Sequence, residues 1–246
     1  MARSMMLPEL TQLFRAVPLD APKDRYKAAI LDDNLLGKAT FSSREKTHRH
    51  LVQHYGLDPA MTLFRLLRRL AADDPASLPL MAATCSFCRD AQLRASWALV
   101  EGLRRGESLT REQMEQHLEA VFPTRFSAAM KKSLAQNLNT TWTEAGHLAG
   151  RSKKVRAVPE PRVAASVYAV TAGYLIGLRG QTLLASVFGR LVSPDPSYLT
   201  AHLALASGRG LVRFRQAGGV VEIDCSPLLT DAERAQQQHL ELHGSN

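Results

Sequence analysis

Aromatic residues are sparse in this 246-residue chain, at 6% of the total, and there are only three cysteines. Recognition of single-stranded nucleic acid relies on exposed aromatic rings for stacking, so their scarcity counts against that class of target. Cys85, Cys88 and Cys225 are too few and odd in number for a disulfide framework, and a reducing cytoplasm is the expected compartment. Long apolar runs are missing too. Val163 to Leu178 is 16 residues without a charge, closed by Arg162 and Arg179, which falls short of the roughly 20 residues of a membrane-spanning helix. A core helix packed on several sides is expected there instead. Acid and proline precede any apolar stretch at the N-terminus, so no secretory signal is expected. There is no internal repeat or low-complexity tract.

Catalytic motifs are equally scarce. No Gly-x-Ser-x-Gly elbow, His-Glu-x-x-His or paired acidic motif occurs. Gly37-Lys38 lacks the upstream glycine and preceding strand of a phosphate-binding loop. Cys85-Ser-Phe-Cys88 has the spacing of half a zinc site but no second half, and an apolar helix around it makes both thiols small hydrophobes. His50 and His54 lie one helical turn apart with no carboxylate to complete a metal set. The expectation is therefore a non-enzymatic protein without cofactor or metal.

What is present is charge of one sign. Lys and Arg number 31 against 23 Asp and Glu, for a net charge of +8 and a pI near 9.7. Such a balance suits an anionic partner, nucleic acid first. Hydrophobic residues at 45% with 22% charged describe a chain that folds.

Periodicity near 3.6 dominates and predicts a mainly helical protein. Helices are expected over 7–15, 23–36, from Ser42 or Ser43 to Tyr55, and over 61–72, 78–90, 92–104, 111–121 and 126–148. Up to Val121 the chain reads as a helical bundle with no period-two segment. Residues 1–158 are expected to form a helical domain ending in a recognition-type helix and a basic wing, and 159–246 a second helical domain with a hairpin wing. There, helices at 181–191 and 196–207 precede Leu211–Arg215 and Val220–Asp224, which alternate around Gly218-Gly219 and predict a hairpin. A last polar helix starts at Asp231 and frays into Gly-Ser-Asn.

Three basic patches emerge. Between Arg125 and Arg156 seven basic residues face one acid, Glu144. On that helix Phe126, Met130, Leu134, Leu138, Trp142 and Ala145 form an apolar stripe, while Lys132, Gln136, Asn139 and Thr143 collect opposite, with Lys131 beside them. Lys, Gln, Asn and Thr are side chains that hydrogen-bond phosphates and base edges. Arg151, Lys153, Lys154 and Arg156 then follow on an extended segment, giving a recognition helix with a wing. The second patch is Lys46, Arg49 and Gln53 on one helix face. The third is Arg213 and Arg215 on the C-terminal hairpin, a second wing. Backbone contacts from these cations to double-stranded DNA are the expected source of affinity.

The run Asp33-Asn34-Leu35-Leu36-Gly37-Lys38-Ala39-Thr40-Phe41-Ser42-Ser43-Arg44-Glu45-Lys46 resembles the opening motif of the BrxA proteins of BREX bacteriophage-exclusion systems. Trp142-Thr-Glu-Ala-Gly146-His-Leu148 resembles the close of a later helix in that family. The resemblance spans roughly Lys27 to Thr200 in element order, but only these two segments in residues. It implies a NusB-like helical fold, DNA binding, and a role beside a methyltransferase and an ATPase in anti-phage defence. The extra hairpin and tail after Gly210 depart from the family pattern. RNA as the target, or a scaffold role within a defence complex, are the alternatives.

Overall fold

The computed structural model describes residues 1–243; the Gly-Ser-Asn end lies outside them. The described residues are mainly helical, with two small antiparallel sheets. The chain divides into two compact units, Met1–Phe64 with Ala82–Glu160, and Arg65–Met81 with everything from Pro161 onward. The 1–158 and 159–246 division differs from this by lending a stretch near residue 70 to the wrong unit. The Asp73-Asp74-Pro75 break lies inside that stretch, whereas the unit boundaries near 64 and 81 fall within helices.

In the first unit α1 (Leu7–Ala16), α2 (Lys23–Leu31) and α3 (Phe41–Tyr55) come first. Helix α2 stops short of residue 36 because Asn34 and Gly37 take left-handed backbone conformations. Asn34 Oδ1 accepts from the Lys38 amide at 2.8 Å, and Lys38 Nζ pairs with Glu9 at 3.0 Å. Thr40 is the cap of α3, ahead of Ser42 and Ser43. Its hydroxyl accepts from the Ser43 amide at 3.1 Å, and Ser43 Oγ accepts from the Thr40 amide at 3.2 Å, closing a capping box. The Asp33–Lys46 run is thus a turn and a helix start. Helices α4 (Thr62–Asp73) and α5 (Leu78–Arg89) each pass from one unit to the other. At the start of α4, Phe64 packs edge-on against Phe14 and Tyr26, at 5.9 and 5.2 Å between centroids.

The rest of the first unit has a distinct order: α6 (Ala91–Gly102), β1 (Ser108–Leu109), α7 (Arg111–Val121), α8 (Ala128–Glu144), β2 (Leu148–Ala149) and β3 (Lys154–Arg156). Helix α6 packs on α7 and α8. The sheet order is β1-β3-β2, all antiparallel. This is the order of a winged helix-turn-helix, with β2–β3 as the wing. The wing expected at 151–156 is the turn and the strand β3, and β1 adds a third strand that the sequence did not announce.

The second unit also sets helices before a hairpin, with no strand among its described residues that corresponds to β1. Helix α9 (Val163–Leu175) is buried on every side from Ala164 to Gly173, as a central helix should be. Helices α10 (Gly180–Ala185) and α11 (Val187–Val192) replace the single helix expected over 181–191, because Ser186 is extended and caps α11 through the Gly189 amide. Helix α12 (Pro196–Gly208) and the hairpin β4 (Arg213–Ala217) and β5 (Val220–Asp224) follow. Gly218 and Gly219 both have positive φ, 56° and 82°, as a tight two-residue hairpin loop requires. Helix α13 (Asp231–His243) closes the unit; Arg65 Nε donates to Glu233 Oε1 at 3.2 Å and anchors it. Among the described residues no helix is long and apolar enough to cross a membrane.

Candidate nucleic-acid interface

Helix α8 begins at Ser127, whose hydroxyl accepts from the Met130 amide. Its inward face is Leu134, Ala135, Leu138, Thr141 and Trp142, all buried. The expected stripe is displaced at its start, for Met130 is 53% exposed and Phe126 is half-buried beside Phe122 and Arg125. The indole of Trp142 donates to Ser96 Oγ at 2.8 Å. Its ring packs 5.2 Å from Trp97 and 5.3 Å from His147.

Of the polar residues assigned to the outer face, Lys132 and Gln136 are exposed and Thr143 is half-buried. Asn139 is only 5% exposed, a correction: it lies next to Leu138 and Trp142 at the margin of the inward face. Its Oδ1 has no hydrogen-bond partner. Lys131 is tied to Glu119 at 2.6 Å, which neutralises much of its charge.

The wing begins at Gly150, where φ is 96° and an added Cβ would stand 2.2 Å from the Lys153 carbonyl oxygen. Only glycine fits this turn. Arg151, Ser152 and Lys153 project from it into solvent, and Lys154 Nζ caps the Gly150 carbonyl at 2.7 Å. Arg156 behaves otherwise and corrects the expectation of a phosphate contact. It is 8% exposed, donates to the His147 carbonyl at 3.0 Å and lies over the Trp97 ring at 5.9 Å. Burial lowers its affinity for a proton, but a guanidinium stays charged.

Between α8, the wing and the start of α7 lies a groove of about 650 Å³. Gln136, Asn139 and Thr140 line one wall, Arg151 to Lys154 a second, and Ser108 to Glu112 the third. Four of these residues are basic and one is acidic, and no aromatic ring lines the groove. Arg111 is held by Glu112 and Glu115, so the free cations are Arg151, Lys153 and, in part, Lys154. The groove also receives the N-terminal end of α7, capped by Thr110 through the Gln113 amide at 3.1 Å. That end adds partial positive charge. Thr110, Arg111, Thr140 and Ser152 escaped the sequence reading. The Thr110–Gln113 capping box marks the helix start, but nothing local says that it faces the wing.

Glu144, at the last turn of α8, is held near pKa 7, chiefly by burial and then by the negative charge of Glu9, with Lys154 acting in the opposite direction.

The other patches are less free than the sequence implies. Lys46, Arg49 and Gln53 are exposed on α3 but do not line the groove. Arg213 pairs with Asp224 at 2.9 Å across the second hairpin, and Arg215 stands opposite Glu222 in the strand register. Both belong to the second unit. At the remaining candidates burial dominates the titration. Burial pushes the Cys88 thiol up to about 12, and it brings the buried His54 down to about 4, against the raising effect of Asp90. Among the described residues no group of three His, Cys, Asp or Glu is placed to hold a metal ion. Comparison with known proteins finds no family model and no curated sequence that matches the chain.

Proposed function

We propose that the protein binds double-stranded DNA through the groove of its first unit, without catalysing a reaction. The observation that carries this reading is the winged helix-turn-helix order joined to a groove whose free side chains are cations and amides. A helix presented beside a hairpin wing is a way to enter a major groove while the wing and helix ends hold phosphates. Arg151, Lys153 and Lys154 supply the phosphate contacts. The absence of aromatic rings from the groove favours duplex over single-stranded RNA.

The place of this activity in a cytoplasmic anti-phage system, with a methyltransferase and an ATPase as partners, rests on the BrxA-like segments at 33–46 and 142–148. Titration of a labelled duplex at 50 and 200 mM salt tests the binding. Three phosphate contacts predict a loss of affinity of about 40-fold across that range. No shift of duplex DNA at low salt, or tighter binding of single-stranded RNA, contradicts the reading.

A further inference from the structure

Helix α8 starts with more polar residues than it has left for a ligand. Lys131 is engaged by Glu119. The hydroxyls of Thr140 and Thr143 donate to the helix's own carbonyls, at Gln136 (2.9 Å) and Asn139 (2.7 Å). The Asn139 side chain is buried at the groove wall. On the outer face this leaves Lys132 and Gln136 as the long side chains that are exposed and carry no side-chain hydrogen bond or ion pair. They are one turn apart on one line of the helix. Ala128, Ala129 and Ser133, all exposed and small, keep the neighbouring surface low.

We infer that α8 reads sequence, with Gln136 specifying adenine and Lys132 specifying guanine; this rests on the duplex-binding reading. A glutamine amide both donates and accepts, and matches the adenine N7 acceptor and N6 donor together. A lysine ammonium only donates, and matches guanine O6 and N7. Four residues along a helix advance about 6 Å, close to two base steps of about 3.4 Å each. The preferred site therefore holds a guanine and an adenine about two steps apart. The wing contacts phosphate and adds affinity without sequence.

Selection of bound duplexes from a randomised pool, with the full chain and its variants, tests the inference. The wild-type protein enriches the spaced guanine and adenine, with discrimination at each position of about 5- to 150-fold. Gln136→Ala abolishes the preference at the adenine position alone and lowers affinity for mixed-sequence duplex by less than about threefold. Gln136→Glu moves that preference toward cytosine, whose N4 amino group donates to a carboxylate. Lys132→Ala erases the guanine preference. Because both side chains are exposed, the variants keep the wild-type thermal melt, which separates lost readout from lost fold. Binding without base preference, or a preference that Gln136→Ala leaves intact, overturns the sequence reading while duplex binding stands. Failure of the wild-type protein to retain any duplex overturns the DNA-binding reading itself.

Discussion

Both units set a helix before a hairpin, and they differ in what these elements present. In the first, α8 turns Lys132, Ser133, Gln136 and Thr140 outward, and its wing carries Arg151 and Lys153. In the second, α12 contains no Lys, Arg, Asp or Glu. Its outer face is Ser197, Tyr198, Ala201, Ala204 and Leu205, with Tyr198 and Leu205 each 54% exposed. The tip of its hairpin is two glycines and a 70% exposed Val220, and its arginines face acids on the neighbouring strand. A fold supplies a helix and a wing; whether they hold a polyanion depends on which side chains remain free. By that measure, among the described residues, the first unit, and not the second, has the free cations that the proposed DNA binding requires.

The comparison breaks most readily at the wings. Arg151→Glu with Lys153→Glu is expected to lower duplex affinity at least 100-fold near 100 mM salt and to reduce the salt slope by about 2. The matching pair Arg213→Glu with Arg215→Glu is expected to cost less than tenfold. Fluorescence anisotropy on one labelled duplex gives both numbers, and equal losses would erase the distinction.

Arg156 sharpens the contrast within a single hairpin. Arg156→Ala leaves its carbonyl acceptors and the Trp97 face uncovered, and should destabilise the protein by about 2–3 kcal/mol in urea unfolding. Lys153→Ala, in the exposed turn just before β3, should change stability by less than about 0.5 kcal/mol.

Glu144 gives a smaller, pH-dependent effect. It holds its proton up to about pH 7 in the folded protein and releases it near pH 4.3 when unfolded. Stability is therefore lost as pH rises through that window. Glu144→Gln should be more stable than wild type by on the order of 1 kcal/mol at pH 8, after allowance for solvent screening, and show no gain at pH 4. Thermal melts at the two pH values decide it. Smallest of all, Leu205→Lys on α12 should alter stability by less than about 0.5 kcal/mol and DNA affinity by less than about threefold. A tenfold gain in affinity would place the second unit on the duplex as well.

Much of this fold could be read from the residues. Helix spans were close wherever an apolar period met a cap or a glycine, and the Gly218-Gly219 hairpin followed from turn chemistry alone. Of the first sheet only the extended segment at 151–156 was legible, because strands of two residues such as Ser108–Leu109 have no period to detect and depend on partners about 45 residues away. At the site, Gln136 and Lys132 were within reach of a helical wheel. Asn139 was not, since the width of a buried face is set by the neighbours that cover it. Arg156 reads as one more cation in a basic run until the pleat of β3 turns it toward Trp97.

That indole cluster also makes the molecule its own optical probe. Both tryptophans of the chain sit in the first unit, 5.2 Å apart and beside His147, directly beneath the wing. The second unit has tyrosines but no indole. Emission excited at the red edge therefore reports from one unit alone, while tyrosine signals come from both. A denaturation followed at the two wavelengths resolves whether the halves melt together or in turn, with no label attached.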